Sequence, residues 1–251
     1  MAGLLRKLVT AWADVPHEPH FITVADKRLQ VSFRNNVRAK RMVLRLSRDA
    51  SGVVVTLPKR VSRTQALAFV DKSMPWIATQ FQRRPPVTVI ANGAIIPLHG
   101  EPHVVNATSE RRGLITIDAQ TRTIHVPGDV KHLARRLEDW LKKQAKAELT
   151  EASNRYAEAM EVDIKRITIR DQKSRWGSCS ASGDLSYSWR LILAPAFVLD
   201  YVAAHEVAHR QQMNHGPRFW RLVLTHCPRA SEAKQWFKHH SSELHRFTTA
   251  K

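Results

Sequence analysis

Long apolar runs are missing from this 251-residue chain, although 43% of its residues are hydrophobic. Nothing approaches the roughly 20 consecutive apolar residues of a helical membrane span, which excludes that class, while the length allows one large core or two modest ones. Cysteine is nearly absent as well. Cys179 and Cys227 form neither a disulfide framework nor a Cys-x-x-Cys zinc ribbon, which suits a reducing compartment and makes the cytoplasm the expected location. Acidic residues are scarce, 22 against 40 Lys and Arg, giving a net charge of +18 and a pI near 10.7. The excess is distributed: residues 1–130 hold 19 basic and 9 acidic side chains, and residues 131–251 hold 21 and 13. Such a surface favours acidic partners, including non-specific contact with DNA, for which Arg38, Lys40, Arg41, Arg45 and Arg48 are the densest candidates. Yet no helix-turn-helix, zinc finger or other nucleic-acid motif is recognisable.

At the N-terminus Leu4, Leu5, Leu8 and Trp12 follow helical spacing beside Arg6 and Lys7. That apolar stretch is too short and too interrupted for a signal-peptide core, and residues 1–18 are expected to form an arm. Residues 19–130 read as β-rich. Arg41 to Leu46 and Val53 to Leu57 flank an Asp49-Ala50-Ser51-Gly52 turn, Val87 to Ile96 contains an Asn92-Gly93 hairpin signal, and Leu114 to Ile117 pairs with Thr123 to Val126. One helical interlude starts at a Ser62 cap and runs through Ala66, Val70, Met74, Ile77 and Phe81, with Pro75 dividing it. Residues 131–251 read as helical: Leu133, Leu137, Trp140 and Leu141 begin an amphipathic helix that reaches about Met160. Two strand-like segments follow, Arg166 to Arg170 and Leu185 to Trp189.

What the chain does have is Ala204-His205-Glu206-Val207-Ala208-His209, with His215 beyond it. Pro195 opens a helix, and Phe197, Val198, Tyr201 and Val202 place it in a core. On that helix His205 and His209 lie one turn apart and can reach one metal ion, with Glu206 beside them. The helix is expected to end near Asn214, before Gly216-Pro217, so that the bend returns His215 as a third ligand. Three imidazoles leave one coordination position for water, the arrangement of a Zn2+ hydrolase. Glu206 is then the general base. A carboxylate from Glu232 is the alternative third ligand, and His239-His240 reads as a solvated helix end.

The segment His205 to Trp220 resembles the signature of the YgjP-like metallopeptidases, a bacterial group related to the SprT and WLM metalloproteases. Lys173-Ser174-Arg175-Trp176-Gly177-Ser178-Cys179, Leu191-Ile192-Leu193-Ala194-Pro195 and the basic segment Arg38 to Leu46 also resemble that family's pattern, so the likeness runs from about Asn35 to about Lys238. Ser188 stands where asparagine is expected and Gly216 where serine is, and neither is a proposed ligand. The third-histidine spacing equals that of metzincins, but Gln212 replaces their glycine and no Met-turn follows. The resemblance implies an α+β, zincin-like zinc metallopeptidase with a β-rich N-terminal region and a helical catalytic region. Its expected substrates are proteins or peptides, cut internally, and the SprT relatives suggest action near DNA.

Leu185 and Tyr187 on the second strand, with Tyr201 one turn before His205, are the candidate substrate-binding residues. Tyr187, Tyr201, Arg175 and His226 are each candidate oxyanion donors, and Cys179 reads as a packing residue. The competing function is a nucleic-acid binding module with a structural or inactive zinc site. A structural site is normally closed by four side chains, and it would leave Glu206 without a role.

Overall fold

The computed structural model describes residues 19–47, 52–82, 87–172 and 175–248. The expected arm at 1–18, Arg48 with most of the Asp49-to-Gly52 turn, and Lys173-Ser174 lie outside the described residues. Contact density divides the chain into two compact units, residues 1–85 and 86–251. The change from strand-rich to helix-rich chain near residue 130 is therefore a change of secondary structure inside the second unit. Together the two units make a mixed α+β protein. Among the described residues no helix is long and apolar enough to cross a membrane.

In the first unit β1 (His20–Val24), β2 (Lys27–Asn35), β3 (Val43–Leu46) and β4 (Gly52–Leu57) form one sheet in the order β1-β2-β4-β3. Strands β2 and β4 are parallel, and the other neighbours antiparallel. Alternation places Ile22, Val24, Leu29, Val31, Val53, Val55 and Leu57 on one buried face. Helices α1 (Arg63–Lys72) and α2 (Met74–Gln82) cover it with Ala66, Val70 and Ile77. The Ser62 cap is a full capping box: its hydroxyl accepts from the Gln65 N–H at 3.2 Å, and the Gln65 side-chain Oε1 accepts from the Ser62 N–H at 2.9 Å. The break between the helices falls at Ser73, and Pro75 sits in the first turn of α2, where a missing N–H costs no helical bond.

The second unit begins with β5 (Thr88–Val89) and a four-stranded sheet of β6 (Ile95–Leu98), β7 (Glu101–Ala107), β8 (Thr116–Asp118) and β9 (Thr123–Val126), ordered β6-β7-β9-β8. The β8–β9 pairing is the expected one, with Thr116 opposite His125. The Asn92-Gly93 hairpin is not formed. Gly93 does take a positive φ of 77°, but β5 pairs in parallel with β13 (Phe247–Thr248), and β6 pairs with β7. The Asn92 side chain accepts from the Ala107 N–H at 2.7 Å, so the turn is tied to β7 instead of closing on its own flanks.

Helix α3 (Leu133–Ala159) buries Leu133, Leu137, Leu141, Ala145, Leu149 and Ala152 along one stripe. A three-stranded sheet follows, with β10 (Arg166–Arg170), β11 (Gly177–Cys179) and β12 (Asp184–Ser188) in the order β10-β12-β11. A 3-10 turn at Trp189–Leu193 leads to α4 (Ala196–Ala208), then α5 (Pro217–His226) and α6 (Ala230–His240). Arg190, 9% exposed, fixes the chain end: Nε donates to Asp171 at 2.7 Å, and Nη1 donates to the carbonyls of Leu244 (3.0 Å) and Phe247 (2.7 Å). A guanidinium is tolerated there because its donors meet a carboxylate and carbonyls.

Candidate metal centre

Helix α4 is apolar nearly all round, with Val198, Leu199, Tyr201, Val202, Ala203, Ala204, Val207 and Ala208 buried. Polar side chains on such a helix need compensation. His205 and Glu206 occupy its last turn and His209 is its C-cap, so the helix stops well short of Asn214. Past His209 the backbone tightens, with the Arg210 N–H donating to the Val207 carbonyl and the Gln211 N–H to that of Ala208. Arg210 Nε donates to the Asp163 carbonyl and Nη1 to that of Ala181, both at 2.9 Å, while Gln211 Nε2 donates to the Met160 carbonyl at 2.6 Å. These anchors hold the chain outside the helix path and turn it back, which brings His215 to the pair. His215 Nε2 lies 3.0 Å from His205 Nε2, and the ligand atoms of His205, His209 and His215 all fall within 4.8 Å of one another.

The far ring nitrogens decide which atoms are free to bind. His209 Nδ1 sits 3.0 Å from the Gln212 carbonyl oxygen, to which it can only donate, so Nε2 keeps its lone pair. His205 Nδ1 faces the Tyr201 hydroxyl at 3.4 Å. Burial, with His209 and His215 adding to it, pushes the His205 pKa down to about 3, and burial also lowers that of His209. Both are therefore neutral imidazoles, the form that binds metal. Two imidazole nitrogens at 3.0 Å come near the separation of about 3.3 Å expected for two ligands of one tetrahedral zinc ion. The residues present fit a divalent ion.

Phe219 of α5 is fully buried behind the three rings, with centroid distances of 4.9 Å to His205, 4.7 Å to His209 and 4.7 Å to His215. Trp220 adds a wall at 5.9 Å from His205 and 5.8 Å from His215. Neither had a role in the sequence reading. No local pattern marked them, since His215 lies outside α5 and its contacts with Phe219 and Trp220 form only once the chain has folded.

Glu206 is 6% exposed, and burial raises its pKa to about 8, against the opposing charge of Arg175. Its neighbour is backbone. A Cβ placed on Gly177 of β11 would lie 2.5 Å from Glu206 Oε1 and 2.6 Å from its Cγ. Glycine is required there for space, because only a bare backbone lets β11 press against the carboxyl. Trp176 beside it is clamped between His245, at 4.8 Å, and Phe237, at 5.6 Å.

Two of the three expected substrate-binding residues are buried and offer no surface to a substrate. Leu185 and Tyr187 are 0% exposed, and the Tyr187 hydroxyl is bonded to Ser153 Oγ at 2.9 Å. Their strand β12 is the middle of its sheet, paired with β10 on one side and β11 on the other, so it has no edge to offer a peptide. Alternating apolar residues marked the strand correctly, but a strand buried on both edges shares that pattern. Tyr201 does touch the histidines, through His205 Nδ1. Glu232 is held by Arg229, which donates to it twice at 2.7 Å, and it is not among the clustered ligands. Cys179 is half-buried with its thiol toward the Ser180 carbonyl, and burial raises its pKa. His239 and His240 end α6 in solvent.

The sequence model of the YgjP-like metallopeptidase domain matches residues 40–240. The chain belongs to the YgjP-like metallopeptidase family. That match spans β3, β4, α1 and α2 of the first unit as well as nearly all of the second, so the YgjP-like region includes both. No curated protein matches the chain. Among solved structures it is similar to the metallopeptidase zymogen of Pyrococcus abyssi abylysin, with 20% identity over 37% of this chain and 95% of that one and a TM-score of 0.33.

Proposed function

We propose that this YgjP-like protein is a zincin-type endopeptidase in which His205, His209 and His215 hold one Zn2+ and Glu206 is the general base. One observation carries the reading: three imidazoles, two of them with their far nitrogens already engaged, converge within 4.8 Å beside a buried carboxyl. When bound, the ion supplies a Lewis acid that lowers the pKa of a water to about 7. Glu206 then accepts the proton of the attacking water and delivers it to the amide nitrogen as the C–N bond breaks. Its pKa of about 8 belongs to the site without a dication, and a 2+ charge alongside favours the carboxylate.

The other residues position these groups. With His205 Nε2 on the ion, its Nδ1 would carry the proton and donate to the Tyr201 hydroxyl 3.4 Å away. Gly177 sets how near β11 comes to Glu206, and β11, the outer strand of its sheet, has one edge without a partner strand among the described residues. An extended substrate would add to that edge with its carbonyl beside the carboxyl.

Metal analysis and hydrolysis of casein separate the roles. His205→Ala and His209→Ala are expected to lose the zinc, about one ion per chain, and the activity with it. Glu206→Gln is expected to keep the zinc and lose hydrolysis by about a hundredfold or more. Zinc retained in His215→Ala but lost in Glu232→Ala would overturn the ligand set. Zinc-loaded protein that cleaves neither casein nor a diverse peptide library would favour a binding module with an inactive site.

A further inference from the structure

The outer edge of the first unit's sheet has the features of a second peptide site, separate from the histidines. Strand β3 ends the order β1-β2-β4-β3, so one of its edges has no partner strand among the described residues. The register tells which groups face outward. The Ser47 N–H donates to the Gly52 carbonyl at 2.8 Å, which makes Ser47 and Gly52 a bonded pair; two residues on, Arg45 faces Val54, and then Val43 faces Thr56. By the alternation of an antiparallel ladder, Leu44 and Leu46 direct their N–H and C=O away from β4. A backbone laid along β3 would meet donors and acceptors already in line.

Side chains add a floor. Met42, Leu44 and Leu46 all pack on the core side of the sheet. Beside them a groove of about 310 Å³ is lined by Arg41, Met42, Leu44, Phe69 and Trp76, with Trp76 47% exposed. Exposed Trp76 and half-buried Phe69 thus lie beside a strand edge whose backbone groups can template a further strand. The charge is one-sided. Residues 20–82 contain 12 basic and 3 acidic side chains, and Arg38, Lys40, Arg41 and Arg45 are all exposed around β3.

We propose that the free edge of β3 binds an extended peptide segment with alternating apolar and acidic side chains. The peptide backbone pairs with Leu44 and Leu46. Its apolar side chains face the same way as Leu44 and lie over Phe69 and Trp76, while its acidic ones face the other way, alongside Arg45. Apolar contact and backbone pairing give affinity, and the cations select against basic segments. Duplex DNA, the other acidic partner this surface could attract, uses neither the strand edge nor the groove.

The test is fluorescence anisotropy on the full chain, with a labelled synthetic peptide of about seven residues that alternates valine or isoleucine with glutamate or aspartate. Three comparisons accompany it: the same peptide N-methylated at alternate amides, a peptide with lysine in place of the acids, and duplex DNA. Saturable binding of the first peptide is expected, together with loss on N-methylation and on lysine substitution. Trp76→Ala is expected to weaken binding about tenfold, and the pair Arg41→Gln and Arg45→Gln to weaken it severalfold in a salt-dependent way. Hydrogen exchange should slow at the Leu44 and Leu46 amides when the peptide is present. The proposal is overturned if the N-methylated peptide binds equally well, if Trp76→Ala leaves affinity unchanged, or if β3 gains no protection. It is also overturned if only DNA binds. A groove filled by another segment of the chain, or by a second copy, would leave the peptide unbound and overturn it too.

Discussion

Strand β11 in the second unit is three residues long, and its backbone is pressed against a buried carboxyl; strand β3 in the first unit has an edge without a partner strand among the described residues, flanked by an exposed tryptophan and several cations. Both are outer strands of their sheets. The difference lies in what surrounds them. Around β11 the neighbours are Glu206, Trp176 and the aromatic clamp of His245 and Phe237, so small changes there move groups of the proposed chemistry. Around β3 the side chains are half-buried or exposed, and changes there alter a surface. The outer strand is thus the proposed recognition element in either unit, but only in the second does it also press on a buried carboxyl.

That contrast can be broken experimentally, beginning with the largest effect. Phe219 is fully buried and touches all three imidazoles, so Phe219→Ala is expected to cost about 3–5 kcal/mol of stability and to weaken zinc binding. Chemical denaturation and zinc titration with a chelator read the two effects. Binding of the acidic-apolar peptide should survive wherever the protein is folded, and its loss would link two surfaces treated above as independent.

Gly177→Ala comes next. The added methyl cannot share space with Glu206 at 2.5–2.6 Å, so the carboxyl must shift. Zinc content and KM should hold while kcat falls about tenfold or more, the effect of misplacing a reacting group by an ångström or less. Combining it with Glu206→Asp, which is one methylene shorter, should give a loss smaller than the product of the two single losses. Additive losses would mean that Gly177 does not act through Glu206.

The smallest effect is one of pH. With a folded pKa of about 8 against an ordinary 4.5, Glu206 keeps a proton in the native state that the unfolded chain has released. Folding stability of the metal-free protein should therefore fall as pH rises through that range. His205, lowered to about 3, works in the opposite direction but only below its ordinary 6.5, whereas His99, raised by its hydrogen bond to Glu148, adds to the decline above it. Between pH 6.5 and 8 the Glu206 share should be about 2 kcal/mol at most, read as the part of the decline that Glu206→Gln removes. Urea midpoints across that range, with EDTA present, measure it. Zinc should remove that share as well, because the dication favours the carboxylate.

The features legible in the sequence were the local ones. The Ser62 cap, the stripe of α3, the β8–β9 pairing and the helical placement of His205 depend on neighbours within a few residues, and the structure has them. What the pattern could not reveal depended on distant partners. Whether Leu185 to Ser188 is an inner or an outer strand is decided by β10 and β11, and β5 finds its partner at Phe247, far along the chain. Helix α4 ends at Ala208, and past it Arg210 and Gln211 bond to the distant Asp163, Ala181 and Met160, while nothing in the sequence between Ala208 and Asn214 marks a stop. Gly177 and Phe219 were invisible for the same reason: each matters through a contact with α4 or the loop after it, made only once the chain has folded.

The central claim is most directly tested by anomalous diffraction at the zinc edge from crystals of zinc-loaded protein. The account predicts one strong peak, about 2.0–2.1 Å from one nitrogen each of His205, His209 and His215, with the Glu206 carboxyl nearby but not ligating. A peak coordinated by Glu206 or Glu232 in place of His215, or no peak between the three rings, would contradict it.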